Sequence, residues 1–118
     1  IHQKFGTILK AHLCAPLPET PETDAALVAL IGQHADRIAG IIVEPLVQGA
    51  GGMRFHDPSV LWRLREIADS YGALLIFDEI FTGFGRTGTM FACEAAGVVP
   101  DIVTLSKALT GGTLPLAA

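Results

Sequence analysis

Residues 74–88 read LLIFDEIFTGFGRTG, and this stretch decides the fold because an apolar run ends at two adjacent carboxylates and then enters a glycine-rich loop. The run at 73–77 is apolar without alternation, which is typical of a strand covered on both faces of a parallel sheet. Asp78 follows at the carboxyl end of that strand, where burying an ionised carboxylate is costly unless an opposite charge compensates it. We therefore expect a counter-charge at this point of the sheet.

Two further strands are predicted, one before this run in the sequence and one after it. Residues 41–43 form a β-branched run that ends at Glu44 and the loop VQGAGG, and residues 102–105 form an apolar run followed by Ser106 and Lys107. Each predicted strand thus ends at polar or charged side chains.

Helical periodicity separates the strands. After a proline-rich connector at 15–22, apolar residues recur at helical spacing as far as Gly40. A second helix is predicted from Asp57-Pro58 to Gly72, and a short third one at 90–96. The order α-β-α-β-α-β predicts an α/β fold with right-handed crossovers, in which a mostly parallel sheet carries helices on both faces.

This topology predicts a ligand site, because ligands of open α/β sheets bind beyond the carboxyl ends of the strands. Asp78 and Lys107 both lie there. A lysine amine beside an apolar strand can lose its proton through desolvation and attack a carbonyl, and pyridoxal phosphate enzymes pair such a lysine with an acid that keeps the pyridine nitrogen protonated. The alternatives are a solvated lysine and an aspartate that caps a helix or forms a local salt bridge.

A different class of protein also places Asp-Glu after an apolar strand, namely the P-loop ATPases, in which the acids hold magnesium. Those proteins carry GxxxxGK[ST] before that strand, and the 118 residues contain no such motif. A metal hydrolase is disfavoured because the four histidines, which are His2, His12, His34 and His56, show no metal-ligand spacing. A non-catalytic α/β scaffold would explain the sheet but not the polar residues at the ends of its three strands.

The net charge and the cysteines indicate which classes of binding partner and which compartment to expect. Eight basic and twelve acidic residues give a net charge of −4 without a basic cluster, which argues against nucleic acid or an anionic membrane and favours a small-molecule ligand. Cys14 and Cys93 are far apart and are expected to be reduced thiols in the core. No run approaches the roughly 20 apolar residues of a membrane span, so a cytoplasmic location is expected. The ends, Ile1 and LPLAA, suggest an internal piece of a longer protein.

Three stretches, IIVEPLVQGAGGM, LLIFDEIFTGFGRTG and PDIVTLSKALTGG, together resemble the class III, fold type I, pyridoxal phosphate aminotransferases. Lys107 follows Asp78 by 29 residues (107 minus 78), the spacing that this family has between its aspartate and its lysine. The resemblance covers essentially the whole chain. It implies that residues 1–118 are part of the large domain that binds pyridoxal 5'-phosphate.

The resemblance also implies a role for each site residue. Lys107 would bind the cofactor covalently and act as general acid and base, and Asp78 would contact the pyridine nitrogen. Arg86 would lie near the substrate. Glu44 would form an ion pair with an arginine elsewhere, and the protein would be a homodimer with its active sites at the interface. No metal is implied.

Within the family, the three stretches are most similar to the branch of biotin biosynthesis, in which S-adenosylmethionine donates an amino group to 8-amino-7-oxononanoate. Phe81 departs from many class III members, which have glutamine at this position near the phenolic oxygen of the cofactor. Phenylalanine cannot make that hydrogen bond, which disfavours ornithine and γ-aminobutyrate enzymes. Another class III aminotransferase of omega-amino acids remains the alternative.

Overall fold

The computed structural model describes residues 12–118, so the prediction for His2 lies outside the described residues. The described elements, in chain order, are α1 (Pro21–Gln33), β1 (Gly40–Val43), β2 (Val47–Gln48), β3 (Arg54–Phe55), α2 (Ser59–Tyr71), β4 (Leu74–Asp78), α3 (Ala92–Ala96), β5 (Ile102–Thr104) and a 3₁₀ turn at Lys107–Leu109. No helix between residues 12 and 118 is long and apolar enough to cross a membrane.

The predicted parallel sheet is confirmed. Its order is β1-β4-β5, and both pairings are parallel, so the strand that carries Asp78 is the central one. Phe77 pairs with Val43 on one side and with Val103 on the other. The carboxyl ends of all three strands therefore lie at one edge of the sheet.

The core lies between the sheet and the helices. The side chains of Val43, Leu75 and Phe77 are buried in one apolar cluster that also contains residues of all three helices. Successive residues of a strand point to opposite faces, and the opposite face of this sheet shows Ile42 at 63% and Leu74 at 45% exposure. The three helices thus cover one face, and the predicted second helical layer is not among the described residues.

Helix α1 begins earlier and ends earlier than predicted. It starts at Pro21, inside the predicted connector, because proline suits the first helical position and Thr20 caps the helix. The Thr20 side chain accepts a hydrogen bond from the Thr23 N–H, and the Thr23 side chain accepts one from the Thr20 N–H. The helix ends at Gln33, well before Gly40, and Ile38 reaches the core from the turn that follows.

The hairpin of β2 and β3 was not predicted. The sequence indicated only a glycine-rich exit loop after β1, whereas Val47 pairs with Phe55 and Gln48 with Arg54 in an antiparallel ladder. Two-residue strands are too short to show an alternation of apolar and polar residues. Arg54 also forms an exposed salt bridge with Glu19 at 3.1 Å.

The remaining helix boundaries shift by one or two residues. Helix α2 starts at Ser59, whose N–H donates to the Asp57 carboxylate at 2.8 Å. It ends at Tyr71, directly before Gly72 as predicted, and Gly72 caps it in the left-handed conformation. Helix α3 starts at Ala92 rather than at Met90, because Phe91 has an extended backbone and caps the helix.

Candidate functional site

The carboxyl edge of the sheet collects three polar residues in a row. Asp78 is the last residue of β4 and pairs with Thr104 of β5. Glu44 directly follows Val43, which pairs with Phe77, so it lies next to Asp78 on the other side. Neighbouring strands are about 4.8 Å apart. The register therefore brings Glu44, Asp78 and Thr104 to one short line at this edge.

Asp78 is a partly buried carboxylate with few partners. Its Oδ1 accepts a hydrogen bond from the Ile80 N–H at 3.1 Å. Within residues 12–118, no lysine, arginine or histidine lies within salt-bridge distance of it. The expected counter-charge thus does not come from the described part of the protein.

Glu79 has a different environment from its neighbour, although the two acids are adjacent. It is completely buried. Its Oε2 accepts from the Ala92 N–H at 2.7 Å and from the Thr82 hydroxyl at 3.1 Å, and its Oε1 accepts from the Cys93 N–H at 3.0 Å. Glu79 therefore ties the first turn of α3 to the end of β4. The sequence predicts a structural part for Glu79 but not these partners, because nothing in it shows that the two N–H donors approach.

Lys107 lies on the turn that follows β5. Its backbone φ is 41°, in the left-handed region that residues other than glycine rarely adopt. The chain then folds back, so that the Ser106 hydroxyl donates to the Leu116 carbonyl at 2.8 Å and the Ala118 N–H donates to the Leu105 carbonyl at 2.9 Å. The side chain of Lys107 is exposed, so the desolvation expected beside the apolar strand is not found among residues 12–118. The returning chain fixes the turn while leaving the amine accessible.

Lys107 and Arg86 approach the same aromatic ring. The Lys107 Nζ lies 5.2 Å from the centroid of the Phe81 ring, and the Arg86 Cζ lies 4.9 Å from it. Both distances are within the range of a cation–π interaction. The structure therefore brings together two of the three residues predicted for the site, whereas Asp78 joins them only through its position on the central strand.

Glu44 is bonded to its own exit loop. Its Oε2 accepts from the Gly49 N–H at 2.8 Å, and its backbone carbonyl lies 3.1 Å from the His56 Nε2. No arginine among residues 12–118 forms a salt bridge with Glu44, so its ion pair with an arginine elsewhere stays a prediction.

A groove of about 1000 Å³ leads to the site along β1. Its lining is mostly apolar and comes from the segment before α1, from α1 itself and from residues 34–43. At the sheet edge, however, it is lined by Glu44, Gln48 and Asp78. Away from the edge, the lining also includes the polar side chains His12, His34 and Arg37.

The described part of the chain offers neither a cluster of metal-binding side chains nor a reactive thiol. Within residues 12–118, no group of three or more histidine, cysteine, aspartate or glutamate residues could hold a metal ion. Burial, with a smaller contribution from the Glu79 carboxylate, raises the pKa of the Cys93 thiol to about 11. Cys93 is therefore protonated at neutral pH, and it packs against the core as predicted. Cys14 is exposed, so the same prediction is wrong for Cys14.

Comparisons with known proteins agree with this architecture. The family model described as Aminotransferase class-III matches residues 2–118. The adenosylmethionine-8-amino-7-oxononanoate aminotransferase of Mycobacterium leprae (strain TN) is 50% identical over 121 residues, which cover 100% of this chain and 28% of that protein. The chain thus spans a little over a quarter of the length of this relative.

Solved structures give the same assignment. A transaminase from the marine bacterium Virgibacillus superposes with a TM-score of 0.83 at 34% identity, covering 99% of this chain and 28% of that one. An omega transaminase from Pseudomonas jessenii, in complex with PMP, gives a TM-score of 0.75 at 35% identity, covering 81% and 21%. These likenesses leave the P-loop ATPase alternative without support. From the strand order, the residues at the sheet edge and the match over residues 2–118, we conclude that the chain belongs to the class III aminotransferase family.

Proposed function

We propose that the full-length protein is a pyridoxal phosphate-dependent aminotransferase of biotin biosynthesis, which transfers the amino group of S-adenosylmethionine to 8-amino-7-oxononanoate to give 7,8-diaminononanoate. The observation that carries the proposal is the adjacency of β4 and β5, which directs Asp78 and the turn of Lys107 to one edge of the sheet. The name of the Mycobacterium leprae relative, at 50% identity, supports the choice of substrates.

The residues at this edge fit pyridoxal phosphate in charge and in chemistry. Asp78 is partly buried and has no cationic partner among residues 12–118, so a protonated pyridine nitrogen would supply the missing charge. Lys107 offers an exposed amine for the aldehyde of the cofactor. When bound, pyridoxal phosphate supplies an electron sink for the electrons of the substrate Cα–H bond.

Lys107 has two tasks in this proposal. Its Nζ would hold the cofactor covalently. When free, the same Nζ would act as general base and acid, and would take the proton from the substrate Cα. An exposed lysine side chain on a turn that the returning chain holds suits both tasks, because the amine must move while its backbone stays in place.

Arg86 and Glu44 are assigned to the surroundings of the substrate. The Arg86 guanidinium is exposed at the mouth of the site and can bind an anionic or carbonyl group of the substrate. Glu44 keeps the glycine-rich loop closed through the Gly49 N–H. We further propose that residues 1–118 belong to the cofactor-binding large domain of a cytoplasmic homodimer whose active sites lie at the interface.

The cofactor assignment is tested with the full-length protein and two variants of Lys107. The wild type should bind pyridoxal phosphate with a visible absorption band. Lys107→Ala and the charge-conserving Lys107→Arg should both lose the band and the activity. Retention of band and activity in either variant would refute the role of Lys107. Nucleotide hydrolysis without such a band would refute the proposed function.

The role of Asp78 is tested by Asp78→Asn, which keeps the shape of the side chain and the acceptor for the Ile80 N–H. Without the negative charge, the pyridine nitrogen is no longer held protonated. We expect kcat to fall by about 10² or more, with the protein still folded and the cofactor still bound. Unchanged turnover by Asp78→Asn would show that Asp78 does not contact the ring nitrogen.

A second substrate class has its own support, because the solved structures to which this chain is similar include an omega transaminase. Transfer from S-adenosylmethionine to 8-amino-7-oxononanoate should therefore be compared with transfer from ornithine, γ-aminobutyrate and simple omega-amines. We expect kcat/KM to be highest for the first pair. A higher value for an omega-amine would replace the biotin-pathway assignment with the second class.

A further inference from the structure

Phe81 is at the centre of the charged groups at the sheet edge, although it is itself apolar. The Arg86 Cζ and the Lys107 Nζ lie 4.9 Å and 5.2 Å from its ring centroid. The two cations come from different segments, one from the loop after β4 and the other from the turn after β5. Phe81 is therefore their shared contact.

The ring is also held from the hairpin side. A Cβ added to Gly49 would lie 3.2 Å from the Phe81 Cγ and 3.3 Å from the Glu44 Oε2, which shows how closely the backbone of Gly49 approaches both. The Gly49 N–H in turn donates to the Glu44 carboxylate. The glycine-rich loop thus packs against the ring and limits its movement.

A ring that is held in place can restrict the positions of two exposed cationic side chains. Lys107 and Arg86 are exposed, and long exposed cationic side chains sample many rotamers. Two cations near each other also repel. The face of an aromatic ring attracts both through its quadrupole, whereas an aliphatic side chain of similar size offers only apolar contact.

Building on the proposed function, we propose that Phe81 is a positioning residue, whose ring holds the Lys107 amine and the Arg86 guanidinium at the edge of the sheet. It does not take part in the chemistry. It sets where the cofactor-binding amine and the substrate-binding guanidinium lie before their ligands arrive. Losing the ring should therefore slow cofactor capture and weaken substrate binding, each by about 2- to 5-fold, which is the size of an exposed cation–π interaction.

The first experiment measures the contact itself, in cofactor-free full-length protein. Lysine amines are labelled by reductive ¹³C-methylation, and the Lys107 signal is assigned by its absence in Lys107→Arg. The ring current of Phe81 should shift this signal upfield in the wild type. The shift should vanish in Phe81→Leu and persist in Phe81→Tyr, which keeps the ring. Identical Lys107 signals in the wild type and in Phe81→Leu would overturn the proposal.

A matched control comes from the same loop. The Phe84 ring stacks edge-on against Phe91 at 5.7 Å between centroids, and neither ring is in cation–π contact with a cation in the described part of the chain. Phe84→Leu therefore removes an aromatic ring without touching Lys107 or Arg86. The Lys107 signal should keep its upfield shift in this variant. Its loss there would show that the shift reports loop packing rather than Phe81.

The second experiment measures function in the same variants. Phe81→Leu should slow the capture of pyridoxal phosphate and raise KM for the substrate, with kcat changed less than KM, and Phe81→Tyr should restore both. Combining Phe81→Leu with Arg86→Ala should raise KM by less than the product of the two single effects, because both act through the same guanidinium. Multiplicative effects would overturn the part of the proposal that concerns Arg86.

The two experiments separate this proposal from the proposed function. If the wild-type protein captures no pyridoxal phosphate, the proposed function fails, and the Lys107 signal in cofactor-free protein still decides whether Phe81 holds the amine. If the wild type captures the cofactor but Phe81→Leu matches it in both experiments, the role of Phe81 alone is refuted.

Discussion

Asp78 and Glu79 are neighbours in sequence with opposite surroundings. Glu79 is completely buried and accepts three hydrogen bonds, whereas Asp78 is partly buried at the edge of the sheet and accepts one from a nearby N–H. Adjacent residues of an extended segment point to opposite sides, so one acid faces the helical layer and the other faces the open edge. The pair therefore combines one structural carboxylate with one that is available to a ligand.

The structural role of Glu79 leads to a prediction for Glu79→Gln. The amide has a single acceptor oxygen, and its NH₂ group would face an N–H donor at the start of α3. Because these groups are buried, we expect the free energy of unfolding of the full-length protein to fall by about 1–3 kcal/mol. Chemical denaturation measures this change. Glu94→Gln is the matched control, because Glu94 is exposed on the same helix, and an equal loss in this variant would contradict the prediction.

At the scale of elements, Asp101 joins the start of β4 to helix α2. Its Oδ2 accepts from the Leu75 N–H at 2.7 Å and from the Arg65 guanidinium at 2.8 Å. The hydrogen bond from the Leu75 N–H, followed by the bond from Arg65, lowers the pKa of the Asp101 carboxyl below its usual value. A group whose pKa is lowered by folding stabilises the folded state above its unfolded pKa and loses this effect as the pH falls through its folded pKa.

Asp101→Asn should therefore be destabilising at neutral pH, and its difference from the wild type should shrink as the pH falls below about 4. Denaturation of both proteins at pH 7, 5 and 3 measures the trend. Asp69→Asn is the control, because Asp69 contacts the same arginine from an exposed position. A difference that stays constant with pH would rule out the contribution of the Asp101 charge.

Helices and strands were predictable wherever the apolar residues recur at a regular spacing or form a continuous run. The runs before Glu44 and Lys107 and the run that ends at Asp78 gave all three strands of the parallel sheet to within one residue at each end. The β2–β3 hairpin was missed because four residues carry no period. The contacts at the site were also missed, because the distance between Phe81 and Lys107 depends on the pairing of β4 with β5 rather than on any local pattern.

At the scale of the whole molecule, the helices among residues 12–118 cover one face of the sheet and leave the other face open. Ile42, Leu74 and Ile102 expose between 43% and 63% of their surfaces on the open face, and the register aligns Ile42 with Ile76 and Ile76 with Ile102. This is a contiguous apolar patch of the kind that drives association. Helices on both faces were predicted from the sequence for the same reason, since the apolar run of β4 does not alternate and therefore places apolar side chains on both faces.

The open face has a measurable consequence for the 118-residue chain produced alone. It should bind a hydrophobic dye and self-associate, as seen by dye fluorescence and light scattering. Ile42→Thr combined with Ile102→Thr should reduce both signals, because threonine keeps the preference for a strand but removes apolar surface. Val99→Thr is the control, since Val99 is 81% exposed in a loop. An equal reduction by the control would show that the sheet face is not the cause.

The left-handed backbone of Lys107 means that the residue best for the stability of the folded chain at this position differs from the residue that the proposed reaction needs. Any residue with a Cβ is strained at a φ of 41°, by about 1–2 kcal/mol, and glycine is not. Lys107→Gly should therefore unfold at higher denaturant concentration than Lys107→Ala, although both lack the amine. If lysine is retained there for its chemistry, selection for a more stable chain would favour the residue that abolishes the proposed reaction.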